Sequence, residues 1–305
     1  MLKPNIYYLS IVLLLFTAAL NLKPLYAAEN PNDGFYAALT LGVGVREANF
    51  VGSDGQAGSE ITRKQTYEDF IALNLELRYQ YKGFFVELPG PTQDAIDGQY
   101  AGNALGYNFY NSRHWTIDFY ALEASGAASR KFTSFEESRN FSEVRRSDYR
   151  LGLRASGYFD NYLMQFIFAP YSFRDEIGGV DASASFRHDW QVKNLNLYAS
   201  LGFRYRSSEI LDHYYGVSTE LSDQIADLVE GQGNADISTR FFQPYTPGDG
   251  FNIGAIAGFE YPVSQSWVVG GFVAAEKTPN SIKDSPLVAG DSVSTSAVLT
   301  ISYVF

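Results

Sequence analysis

The sequence holds three histidines, His114, His188 and His213, the residue type most used for general acid–base chemistry, and no cysteine offers a thiolate. A hydrolytic site would have to be built around one of them. His114 falls in a short polar turn beside Arg113. His188 shares strand parity with Phe186 and Trp190, the placement of an interfacial side chain. His213, between Asp212 and Tyr214 in a long polar stretch, is the one placed where a general base could reach a substrate. No nucleophile can be named to partner it, so a packed or solvated loop histidine is the stronger reading and no catalysis is expected. Asp223, Asp227, Glu230 and Asp236 lack the spacing of a calcium loop, so no metal or other cofactor is expected either.

A second set of charges has a clearer pattern. Glu76, Arg78, Asp118, Arg150, Arg154, Asp181, Arg187, Asp189, Arg204, Arg206 and Glu260 occupy the polar face of segments whose alternate positions are apolar. In "IALNLELRYQY", Ile71, Leu73, Leu75, Leu77, Tyr79 and Tyr81 oppose Ala72, Asn74, Glu76, Arg78 and Gln80. A sheet buried on both faces could not hold the second row. A barrel with lipid outside and a polar lumen can. Charges in such a lumen either pair across strands and rigidify the interior or, with arginines on one wall opposite acids, set a transverse field across a channel.

The same period of two recurs around residues 35–45, 149–159, 195–206, 251–261 and 293–305, with aromatic residues at the ends of the apolar rows. Aromatics make up 16% of 305 residues, including 22 Tyr and 23 Phe, while mean hydropathy is only −0.15. An aromatic excess without general greasiness fits the interfacial girdles of a membrane barrel. Short connections near Lys82, Asn111–His114, Phe159–Asn161, Gln191–Asn194 and Pro262–Ser266 alternate with longer polar ones. Those run over Glu47–Gln65, Pro91–Gly98, Gly126–Arg146, Arg174–Gly178, Ser207–Asp249 and Lys277–Asp291. Residues 221–241 of the longest carry the pattern of a short helix.

These features predict an all-β fold, a transmembrane antiparallel up-and-down barrel of about twelve strands, or ten if one hairpin lies outside the wall. The weakest strands lie in "FFVELPG" and "QYAGNALGYNFY", and "WVVGGFVAAE" is apolar on both faces. Residues 1–27 read as a signal peptide, with Lys3, an apolar stretch and small residues at Ala27 and Ala28, leaving 28–305 as the barrel. The last strand places Ile301, Tyr303 and Phe305 on one face, similar to the C-terminal signal that outer-membrane barrels present to their assembly machinery. A net charge of −11 argues against a nucleic-acid partner, and none is expected. The expected setting is the Gram-negative outer membrane, as a monomer in contact with lipid and lipopolysaccharide. A lumen of this size is expected to be narrow or plugged.

Several segments then resemble one family, MipA/OmpV. "EANFVGSDG" resembles its E-x-x-Y-x-G-S-D segment, with Phe50 where tyrosine is usual and Gly52, Ser53 and Asp54 matching. "ALGYNFY" resembles G-L-G-Y-N-L through Gly106, Tyr107 and Asn108, with Ala104 replacing the first glycine. "DHYYGVSTE" matches Y-Y-G-V-x-x-E in Tyr214, Tyr215, Gly216, Val217 and Glu220. "YTPGDGFN" and "DSPLV" follow in family order, the latter with Asp284, Ser285 and Pro286. The resemblance spans residue 47 to the C-terminus. It implies a non-catalytic barrel whose best-described relative scaffolds a lytic transglycosylase and a peptidoglycan synthase. Other members are described as adhesins or porin-like proteins. The stretch after Glu220 is longer than the family pattern.

Overall fold

The computed structural model describes residues 34–52, 62–88, 104–124, 148–173, 177–220, 222–223, 243–286 and 293–305. The predicted signal peptide, Ser53, Asp54 and the acidic residues Asp227, Glu230 and Asp236 lie outside them. Twelve strands follow in order: β1 (Gly34–Gly52), β2 (Thr62–Tyr81), β3 (Phe84–Leu88), β4 (Ala104–Asn111), β5 (Trp115–Ala124) and β6 (Asp148–Phe159) form one half. β7 (Tyr162–Ser172), β8 (Asp181–Val192), β9 (Leu195–Arg206), β10 (Gly250–Pro262), β11 (Trp267–Lys277) and β12 (Val293–Val304) form the other. Each strand pairs antiparallel with its sequence neighbours, and β12 closes onto β1, with Leu41 opposite Ile301. Closure leaves no sheet edge, which a membrane interior requires because nothing there can satisfy a free backbone amide.

The short connections lie where the sequence places them. Three hairpins turn in two residues, Tyr81 opposite Phe84, Phe159 opposite Tyr162 and Val192 opposite Leu195. Each begins in the left-handed region, at Lys82 (φ 50°), Asp160 (φ 39°) and Lys193 (φ 56°), and Gly83 (φ 84°) follows the first. That backbone twist matches the twist of the flanking strands. Proline enters the wall at a register shift: between Leu151 and Leu153 of β6, the partner strand β7 advances by three residues, from Tyr171 to Phe168, across Ala169 and Pro170. A bulge absorbs the missing donor. A second bulge in β4, at Phe109, lies between Asn108 and Tyr110.

One expectation needs correction. The loop expected over Glu47–Gln65 is shorter, because β1 and β2 stay paired as far as Gly52 opposite Thr62. A polar hairpin in water needs no apolar row, so periodicity misses it. A helix not anticipated from the sequence, α1 (Ser208–Tyr215), opens the longest loop; of the helix expected within residues 221–241, only residues 222 and 223 are among those described, and both are helical. A second short helix, α2 (Asn280–Lys283), lies between β11 and β12.

Outward positions are apolar and exposed, among them Leu41, Val43, Ile71, Leu153, Leu201, Val273 and Leu299. Aromatic side chains band both ends. At the short-turn end Tyr303 packs edge-on against Trp267 and Phe305, with centroids 5.1 and 5.0 Å away. At the other, Phe203 packs on Phe251. The last strand therefore presents Ile301, Tyr303 and Phe305 along one face, and the amide of Phe305 donates to Ala37 O.

Candidate functional site

Of the eleven charges expected to line the lumen, all but Glu76 bond or pair with groups of their own strand, a neighbouring strand or the adjoining loop. On the wall built by β2 to β6, Arg154 lies opposite Asp118, with Nη2–Oδ2 at 2.8 Å and Nε–Oδ2 at 2.9 Å. Arg154 also holds Glu87 at 2.6 Å, and Glu87 pairs with Arg78 at 3.2 Å. Asn108 donates to Asp118 Oδ1 at 2.6 Å, and Arg78 donates to Gln80. The Phe85 ring lies 5.8 Å from the Arg78 guanidinium and 5.1 Å from that of Arg154. Guanidinium over an aromatic face keeps its charge compensated where water is excluded.

A second network spans β8 to β10. Arg187 contacts Asp189 at 2.7 Å and Glu260 at 3.7 Å and lies 4.0 Å over the Tyr198 ring. Asn196 donates to Asp189. Towards the long loops, Arg204 grips Asp181 through two donors, at 3.0 and 2.6 Å. Arg206 donates to Asn252, which donates to Glu276 at 2.5 Å, and Arg150 reaches Ala169 O and Gly179 O. Glu76 is half-buried and joins none of these pairs.

Apolar side chains also occupy the interior. Tyr198, Ile256, Phe272, Ala274 and Val298 form one buried cluster, and Phe85, Ala104, Tyr120 and Ile167 another. Sequence reasoning did not foresee the clusters, and it missed Glu87 and Glu276. Glu87 sits in the proline-flanked strand whose register was weakest, although its parity with Phe85 was a usable signal. Glu276 and Phe272 lie on β11, where two apolar faces hid which one turned inward.

The long-loop end carries a folded cap. α1 buries Ile210, Leu211, Tyr214 and Tyr215 against Ile282 of α2. Ser207, at the N-cap position, makes no capping bond to the helix; its hydroxyl accepts from Val180 N–H instead. The capping acceptor comes from 41 residues away, Asp249, whose Oδ1 takes the Ser208 N–H at 2.8 Å and whose Oδ2 takes the Tyr205 hydroxyl. The Tyr205 bond and then the Ser208 amide hold the Asp249 carboxyl below its ordinary pKa. Glu209 is also lowered, first by the Ser207 hydroxyl. Tyr245 is raised, chiefly by burial.

The family-motif residues gather here from distant parts of the chain. Tyr214 and Tyr215 lie in α1 and Gly216 ends it, Val217 bridges Tyr245, and Tyr245 donates its hydroxyl to Ser281 O. Ser285, fully buried after α2, donates to Tyr215 O at 2.6 Å, beside exposed Asp284 and buried Pro286. Glu220 is exposed. Elsewhere, Gly106 sits where a Cβ would overlap the Phe119 carbonyl and the Phe85 ring. Tyr107 packs on Phe84 and Asn108 joins the lumen network. Gly52 ends β1.

The three histidines lie apart, on α1 and beside two short turns. His213 is half-buried on α1, edge-on to Tyr214. His114 and His188 each place Nδ1 3.0 Å from a turn carbonyl, of Tyr158 and Asn161. Among the described residues no group of His, Asp and Glu is arranged to hold a metal ion. A depression of about 890 Å3 lies on the outer wall, its outward positions including Ala199, Ala257, Ala275 and Ala297; it faces hydrocarbon.

The family model described as "MltA-interacting protein MipA" matches residues 39–305. The chain belongs to the MipA family. No curated protein matches this MipA-family chain in sequence. Among solved structures it is similar to a KdgM porin, at 10% identity and TM-score 0.38 over 87% of this chain and 99% of that one. It is also similar to the COG4313 outer membrane channel from Pseudomonas putida F1, at 9% identity and TM-score 0.43 over 93% and 100%. A loop-deleted OmpT from Vibrio cholerae gives 8% and 0.36 over 89% and 98%. This MipA-family barrel is an outer-membrane protein of the Gram-negative envelope.

Proposed function

We propose that this protein works by contact, as an outer-membrane anchor for murein-processing enzymes, and catalyses no reaction itself. The observation that carries the reading is the packed interior. Arginine–carboxylate pairs bridge neighbouring strands, two apolar clusters share the same space, and Arg150, Arg206 and Asn252 at the long-loop end are almost wholly buried. A lumen so filled leaves the two rims as working surfaces. The family description, which names interaction with the lytic enzyme MltA, supports a murein enzyme as partner. Removal of residues 1–27, delivery of the last strand to the barrel assembly machinery and contact of the long loops with lipopolysaccharide belong to the same reading.

A narrow channel is the second reading, favoured by one observation. Arg187, Asp189 and Glu260 keep 25%, 29% and 40% of their side-chain surface exposed, so water enters the short-turn half. The test uses refolded protein. Silence in a planar bilayer, together with saturable binding of a purified lytic transglycosylase in detergent, is the expected result. Steady conductance without binding overturns the contact reading in favour of the channel.

A further inference from the structure

We propose that the cavity between the β4–β5 and β6–β7 turns is a docking pocket for a polar loop of the partner enzyme. The proposal rests on the contact reading above and names where that contact is made.

The cavity measures about 460 Å3 and opens at the short-turn rim. That is within the roughly 300–1,000 Å3 range of ligand-sized pockets. Arg113 and His114 line it from one turn, Asp160 and Asn161 from the next, and Arg187 with Asp189 from the β8 wall. Its floor is already neutral, because Arg187 and Asp189 satisfy each other. Its lips are not. Arg113 and Asp160 are exposed, and neither makes a hydrogen bond or ion pair among the described residues. The pocket therefore offers one available guanidinium and one available carboxylate on adjacent turns.

The walls are held in place before anything binds. His114 donates Nδ1–H to Tyr158 O and stacks on Phe159 at 5.1 Å and 10°, while Tyr158 N–H donates to His114 O. On the other side, Asn161 O accepts from both His188 Nδ1–H and Asp189 N–H. Two of the three histidines thus serve as tethers for the β6–β7 turn. A prebuilt site loses little conformational freedom on binding.

Charge says what kind of loop fits. The short turns carry Lys82, Arg113 and Lys193 against Asp160, a basic rim on a chain of net charge −11. An acidic loop is drawn to that rim; its carboxylate takes Arg113 in a bidentate grip, and a backbone N–H or ammonium reaches Asp160.

The test measures binding of a purified lytic transglycosylase to the refolded full-length barrel in detergent. Arg113→Glu and Asp160→Asn are expected to weaken it about tenfold each, with a shallower salt dependence for the first. Asparagine tolerates the left-handed backbone at position 160, so that variant keeps its turn. Gln265→Glu, an exposed change on the distant β10–β11 turn, is expected to change nothing. Binding that persists unchanged in both cavity variants, or that is lost only at Gln265, overturns the pocket and leaves the contact function standing. No binding by the unaltered barrel overturns both.

Discussion

Arg154 and Asp118 face each other on adjacent strands inside the barrel, joined at 2.8 Å, with side chains only 6% and 2% exposed. Neither charge would be stable there alone. Together with Glu87 and Asn108 they convert a costly interior into a rigid one. They interlock with Phe85 and Tyr120, whose ring centroids lie 5.1 and 5.9 Å from the Arg154 guanidinium.

Removing one partner exposes that dependence. Asp118→Ala leaves the Arg154 guanidinium with only part of its compensation and is expected to destabilise the barrel by about 3 kcal/mol. The double variant Asp118→Leu with Arg154→Met recovers most of this, because no guanidinium is left buried without its carboxylate and Glu87 keeps its pairing with Arg78. The urea midpoint of refolded protein in lipid vesicles checks both, and equal loss in single and double variants would contradict the account.

Gly106 is required for a different reason. Alanine there drives a methyl into the Phe119 carbonyl and the Phe85 ring, where backbone and a packed ring cannot yield cheaply. A loss of about 2 kcal/mol is expected. The heat-modified band shift on gels should then occur at lower temperature than for the unaltered chain.

The cap should loosen in acid before the wall does. Asp249 and Glu209 both have lowered pKa values in the folded cap, so they add stability above the ordinary carboxyl range. That contribution is lost as pH falls through their folded values, which lie below the ordinary carboxyl range. Amide exchange in α1 is expected to speed up there relative to the strands once corrected for intrinsic pH effects, and Asp249→Asn should reduce the difference.

Ser285→Ala tests the motif contact between the two loop helices. The variant leaves the Tyr215 carbonyl without its buried donor and costs about 1 kcal/mol locally. Hydrogen exchange in α1 should accelerate while strand amides and gel mobility stay unchanged. Unfolding of the whole barrel would mean that the cap and wall are one cooperative unit.

The sequence by itself determined the wall. A period of two, aromatic residues at the ends of apolar rows and alternating short and long connections follow from lipid on one side and water on the other, so the twelve-stranded wall and its charge-bearing polar rows were legible. Tertiary structure decided what those charges do. Whether Arg154 meets Asp118 or open water depends on strand register and barrel stagger, which couple positions 36 residues apart and leave no local pattern. The weak strands β3 and β11 hid Glu87 and Glu276, because alternation is lost where proline interrupts the row or both faces are apolar. Long-range closure likewise brings Asp249 to the start of α1 and Ser285 to Tyr215, turning scattered motif residues into one folded cap.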